Sequence, residues 1–155
     1  MEEKFDRTEI LLRGKKRALR LLERKDYARK ELENKLARDG YEADIVEEII
    51  AYIDSYHYLN DARVAENYIR GKKSYKSKRE LQYLLKQKGI DDEKISIALE
   101  ENYLDEEEAI LRILHKYHAE GETLSEMTYE DKQKIAAKLY RKGFEQEKIR
   151  KMLQM

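Results

Sequence analysis

Apolar residues along this 155-residue chain recur four positions apart in groups, and three of these groups close on a glycine. Aligning Gly40, Gly89 and Gly143 exposes a repeat. Four positions before them stand Leu36, Leu85 and Leu139, and eight before stand Leu32, Leu81 and Ile135. Immediately after come Tyr41, Ile90 and Phe144, and six after come Val46, Ile95 and Ile149. Three and four residues further on lie Ile49 with Ile50, Ala98 with Leu99, and Met152 with Leu153. The copies are separated by 49 and then 54 residues. Four-residue apolar spacing ended by glycine describes an amphipathic helix closed by a left-handed residue. A second amphipathic helix follows at once in every copy.

Helix starts are also legible. Twelve residues before the glycines stand Ala28, Ser77 and Asp131. Ser77-Lys78-Arg79-Glu80 has the form of a capping box, and Asp131 can cap alone. Ala28 has no acceptor, which leaves Asp26 as the alternative start of the first copy. Three further segments carry apolar stripes at helical spacing. Residues 9–24 align Leu11, Leu12, Ala18, Leu19 and Leu22; residues 60–71 align Ala62, Ala65, Tyr68 and Ile69. Residues 105–118 align Ala109, Ile110, Ile113, Leu114 and Tyr117. The expected fold is therefore all-α, with nine helices as three tandem three-helix repeats in an elongated array able to curve. The expected modules are 1–57, 58–103 and 104–155, with residues 1–8 frayed and 119–127 as the longest link.

Composition narrows the function. No cysteine is present, so neither a disulfide framework nor a thiolate metal site is available. No apolar run approaches the roughly 20 residues of a membrane span, and the charged start has no signal-peptide core. A cytoplasmic protein is expected, with no membrane contact. The zero net charge conceals segregation along the chain. Residues 13–38 hold 11 Lys/Arg against 4 Asp/Glu, and residues 39–61 hold none against 7. Residues 63–88 hold 9 against 2, residues 89–110 hold 1 against 9, and residues 132–155 hold 8 against 2. Such asymmetry says more about partners than the total does.

Candidate chemistry is sparse. His115 and His118 stand near Glu122, but a firm metal site needs three or four ligands, so they read as solvated helix residues. His57 reads as local packing or capping. The carboxylates form solvated faces on 42–54 and 91–108, the six glycines are isolated, and no nucleophile has an obvious base. The expectation is a non-enzyme without metal or cofactor. The basic clusters are more telling: Lys15-Lys16-Arg17 with Arg20 and Arg24, Lys72-Lys73 through Lys78-Arg79, and Arg141-Lys142. Pairing with acidic helices of neighbouring modules accounts for part of them. It accounts less well for residues 70–79, where six Lys/Arg and Tyr75 meet no acid and a polyanionic surface is the natural complement.

Several stretches carry a recognisable pattern. These are Arg24-Lys25-Asp26-Tyr27-Ala28-Arg29-Lys30-Glu31-Leu32-Glu33-Asn34-Lys35-Leu36 with Gly40-Tyr41, and Tyr58-Leu59-Asn60-Asp61-Ala62-Arg63-Val64-Ala65-Glu66-Asn67-Tyr68. With Leu85-Lys86-Gln87-Lys88-Gly89-Ile90 and Leu139-Tyr140-Arg141-Lys142-Gly143-Phe144, they resemble the RecX family of bacterial recombination regulators, from about residue 14 to the end. Ala28 departs from the small hydroxyl usual there, and Val64 from an aromatic. The resemblance implies tandem three-helix modules that bind RecA and its filament on single-stranded DNA. It implies inhibition of strand exchange, ATP hydrolysis and coprotease action. On that reading the candidate contacts are Lys72, Lys73, Lys76, Lys78, Arg79 and Lys88 with Tyr75, then Arg29, Lys30, Arg141 and Lys142, in a monomer. The alternatives are direct DNA binding through helix-turn-helix-like modules, and a scaffold whose charged helices merely pair with one another.

Overall fold

The computed structural model describes residues 6–117 and 124–155. His118 and Glu122, the side chain of Tyr117 and much of the 119–127 link lie outside the described residues. Nine helices and no strand occur among them: α1 (Arg7–Arg24), α2 (Arg29–Arg38), α3 (Ala43–Ser55), α4 (Asp61–Lys72), α5 (Lys78–Gln87), α6 (Asp92–Glu101), α7 (Glu106–Tyr117), α8 (Tyr129–Arg141) and α9 (Gln146–Leu153). A 3-10 turn, Leu124–Glu126, precedes α8.

Most starts follow from short polar side chains taking orphan N–H groups of the first turn. Asp6 accepts from Glu9, Asn60 from Arg63, Ser77 from Glu80, and Asp91 from Lys94. Helix α1 therefore begins at Arg7, directly after the Asp6 cap. Helix α8 begins before the expected Asp131, because Thr128 caps it and Asp131 closes a reciprocal box. Helix α2 starts on Ala28 and not on Asp26. The missing cap is replaced by the Glu31 carboxylate, which accepts the Ala28 N–H at 3.0 Å.

The three glycines do what the repeat predicts. Each has a positive φ, 100° at Gly40, 81° at Gly89 and 94° at Gly143. The next residue turns back over the helix end, with Tyr41, Ile90 and Phe144 donating to the carbonyls of Leu36, Leu85 and Leu139. This is the Schellman closure, and it drives the following apolar side chain onto the last turn.

Each triplet of helices buries its own core. Leu32, Leu36, Ile49 and Ile53 anchor the first, Ile69, Leu81 and Leu85 the second, and Ile110, Leu114, Leu139 and Phe144 the third. Burying one such side chain contributes about 1.5–3 kcal/mol. In the first module α1 and α3 close on Gly14, where a built Cβ would lie 2.2 Å from Ile49 Cδ1. Two stripe positions differ from expectation. Leu12 is 53% exposed, and Ala62 faces solvent while its neighbour Val64 is buried. The helix phase is set by the flanking helices, so a residue at the edge of an apolar stripe falls on either side of it. Cores this small support marginal independent stability at best, so the modules lean on one another. The chain exposes 10830 Å², against about 8,300 Å² for a compact monomer of its mass, as an extended array should.

Candidate partner-binding face

The contacts between modules use one device twice. The glycine after α5 sits on the first turn of α2, where a Cβ on Gly89 would fall 2.3 Å from Lys30 Cβ. The glycine after α8 sits likewise on the first turn of α5, where a Cβ on Gly143 would fall 2.8 Å from Ser77 Oγ and 3.1 Å from Arg79 Cβ. Lys30 and Arg79 each stand ten residues before their own module's glycine, so the two junctions share a register. Glycine is needed there twice over, for its positive φ and for the close approach of the neighbouring module's side chains.

The polar fastenings differ. At the first junction Lys88 Nζ meets Glu31 Oε2 at 3.0 Å and lies 5.1 Å from the centre of the Tyr68 ring. Ala28 is fully buried among the apolar residues of the second core, and the Asp61 carboxylate accepts the Arg29 N–H at 2.8 Å. At the second junction Ser77 is fully buried, accepting from the Glu80 N–H and donating to the Lys142 carbonyl at 2.6 Å. Lys116 lies 4.5 Å from the centre of the Tyr75 ring. Lys142 is the repeat counterpart of Lys88, yet its side chain is exposed. Glu80, the counterpart of Glu31, pairs with Lys76 and leaves Oε2 buried without a hydrogen-bond partner.

The candidate residues thus divide into two groups. Lys88 and Lys76 are held in half-buried ion pairs, and Arg29 reaches Asp54 at 2.7 Å, so these three stabilise the array. Lys72, Lys73, Lys78, Arg79, Lys30, Arg141 and Lys142 make no ion pair among the described residues, and all but half-buried Lys73 are exposed. Arg79 lies against Gly143 across the second junction, and Lys30 lies against Gly89 across the first. Tyr75 is 44% exposed, with Lys116 of α7 over its ring. What the sequence did not reveal is the second duty of Ser77 and Glu31. Their capping pattern was visible, but not the module that each one reaches.

The pKa shifts of the molecule lie in exposed ion pairs. Arg7 is raised by hydrogen bonds to Glu48 and Asp44, Lys94 by Asp91, and Arg112 by Glu108. Asp44 is lowered by its hydrogen bond from Arg7, and Asp91 by that from Lys94. None of these resolved shifts holds a carboxyl protonated or a lysine neutral, as acid–base chemistry would require. Among the described residues no cluster of three His, Asp or Glu could hold a metal ion. No helix among them is long and apolar enough to cross a membrane.

Fold and surface together define a class: a tandem array of three-helix modules with basic side chains gathered at the junctions. The modules match, in order, the first, second and third three-helix domains of RecX, over residues 15–52, 60–99 and 105–153. The chain belongs to the RecX family, a family of regulatory proteins. It is 32% identical over 145 residues to a Regulatory protein RecX of Caldanaerobacter subterraneus subsp. tengcongensis, covering 92% of this chain and 70% of that one. It is 28% identical over 131 residues to that of Clostridium perfringens, covering 84% of this chain but 60% of the relative's length. The crystal structure of RecX from Lactobacillus salivarius superposes with a TM-score of 0.69 at 25% identity, covering 95% and 96% of the two chains.

Proposed function

We propose that this protein regulates RecA, chiefly as an inhibitor, by lying along the groove of the RecA filament on single-stranded DNA. The observation that carries the reading is the repeated junction. Lys30 and Arg79 hold the same repeat position beside a partner glycine, so cations are set out at a module-sized interval. A filament offers its own surface at regular intervals. Several weak contacts from one array then add to a useful affinity. Bridging successive protomers opposes the rearrangements that ATP hydrolysis and strand exchange need. Lys72, Lys73, Lys78, Arg79, Arg141 and Lys142 carry these contacts, with Lys30 and Tyr75 beside them. Lys88, Lys76 and Arg29 hold the array in shape.

The test is co-sedimentation with the cognate RecA, with and without an ATP analogue and single-stranded DNA. Retention is expected only with the assembled filament; equal recovery without filament removes the proposal. RecA ATPase titrated with the protein separates two routes. Inhibition well below stoichiometry means capping or disassembly, and inhibition near stoichiometry means groove occupancy.

A further inference from the structure

Two buried side-chain oxygens stand without a hydrogen-bond partner among the described residues, Glu80 Oε2 and Glu106 Oε2. Each has a fastened counterpart one module earlier. Glu80 and Glu31 both stand nine residues before their module's glycine. Glu106 and Asp61 both open the first helix of their module, directly after a capping side chain, Asp105 or Asn60. The two helices match further in, where Ala109, Ile110 and Leu114 of α7 are buried at the places of Val64, Ala65 and Ile69 of α4. The start of α7 also lies against the α4–α5 connection, since Asp105 and Ala109 line one cavity with Lys73 and Ser74.

At the first junction both carboxylates are engaged. Glu31 accepts the Ala28 N–H with Oε1 and the Lys88 ammonium with Oε2, and Asp61 accepts the Arg29 N–H of the preceding module. By register the second junction has the same donors, Lys142 in the place of Lys88 and the Lys78 N–H in that of Arg29. Lys142 is exposed instead, and Glu80 takes Lys76, one helical turn back on its own segment, at 3.1 Å. This competitor belongs to the middle module alone of the two, because the first carries Tyr27 at that position, which has no ammonium. What holds the second junction is the Ser77 hydroxyl on the Lys142 carbonyl and Lys116 over the Tyr75 ring. A buried carboxylate oxygen without a donor is costly, and these two share one remedy.

We propose that the second junction is a latch, observed in its open form, whose closed form repeats the first junction. On closing, Lys142 Nζ moves onto Glu80 Oε2 and the Glu106 carboxylate reaches the Lys78 N–H. Lys76 sets the balance. While it holds Glu80, a second ammonium on the same carboxylate gains less, because the two cations repel. Closure withdraws Lys142 from the exposed basic residues and fixes the angle between the second and third modules. An anionic surface that holds Lys142 in the open form therefore opposes closure, and closure opposes its binding to the same extent. The latch links the curvature of the array to the occupancy of its basic face. It goes beyond regulation of RecA, because it is a property of the free chain.

The chain has no cysteine, so Tyr83→Cys with Tyr140→Cys, both at exposed positions, places one spin label on the second module and one on the third. Double electron–electron resonance on the full chain then reads the distance between them. Lys76→Met removes the competitor, and one distance population should gain about tenfold over the other. Lys142→Met, Glu80→Gln and Glu106→Ala should each deplete that same population. Distributions identical in the parent, Lys76→Met and Lys142→Met overturn the proposal. So does a shift in Lys76→Met that survives the addition of Lys142→Met, since the closed form needs Lys142. Inorganic polyphosphate, as a probe for an anionic surface, should move the parent toward the open population and leave Lys142→Met unmoved. An equal shift in both overturns the coupling of the latch to the basic face. Retention on the RecA filament is scored separately, so failure of the latch is distinguishable from failure of RecA binding.

Discussion

At the scale of single residues, the junction glycines and the residues they touch hold the most structural information. Gly40, Gly89 and Gly143 share a left-handed conformation, which costs a residue with a Cβ about 1–2 kcal/mol. Only the last two also meet a neighbouring module, while a Cβ on Gly40 would meet nothing within 4 Å. Gly40→Ala should therefore lose about 1–2 kcal/mol in urea denaturation. Gly89→Ala should lose measurably more, because the Lys30 side chain, from its Cβ outward, must give way. Equal losses would show that the junction contact carries no energy. Ala28 and Ser77 make a second comparison. Ser77 spans the second junction with its hydroxyl, and Ala28 holds the same repeat position at the first. Ala28→Ser should restore the missing bond to the Lys88 carbonyl and stabilise by about 1 kcal/mol. Ser77→Ala should cost about 1–2 kcal/mol, since it leaves the Lys142 carbonyl without its donor.

At the scale of elements, the acidic helix α3 is tied to α1 by Arg7, which donates to Asp44 and Glu48, both at 2.6 Å. Asp44 is held below the usual carboxylate range, so its contribution to stability is present above the unfolded-state pKa. That contribution fades as pH falls through the lowered folded-state value. Arg7 stays charged throughout and adds no slope of its own. Urea midpoints measured down a pH series should fall less steeply for Asp44→Asn than for the parent. The difference should shrink in high salt, because both partners are exposed. Within the elements the repeat was highly legible. Helix periods, glycine closures and most caps were present as local pattern, since each depends on residues within one turn. The starts of α2 and α8 and the phase of α1 and α4 were less so. Ala28 is a helix start because the second core buries it, and Leu12 is exposed because of where α3 packs. Neither cause is local.

At the scale of the whole molecule, three small cores joined by thin contacts behave as a short one-dimensional array. Charge reversal then sorts the basic residues by role. Lys72, Lys73, Lys78 and Arg141 changed together to glutamate should abolish retention on the RecA filament with little change in Tm. Lys88→Glu should instead destabilise by about 2 kcal/mol, because it sets two carboxylates together in a half-buried pair. If the fourfold variant unfolds early and still inhibits RecA, the basic residues serve the scaffold and not the partner.

The tandem three-helix plan with its alternating charge was determined by the amino-acid order alone. Amphipathic period, glycine closure and capping are properties of neighbours in the chain, and three copies make them unmistakable. Which lysines stay on the surface and which are drawn into junctions was decided only by the tertiary structure. Lys88 and Lys142 occupy the same repeat position and have opposite fates, because one finds Glu31 and the other finds Lys76 already on Glu80. The unpartnered carboxylate oxygens of the second junction were hidden for the same reason. Glu80 and Glu106 lie 26 positions apart in the chain, and only the packing of the third module on the second brings them to one junction.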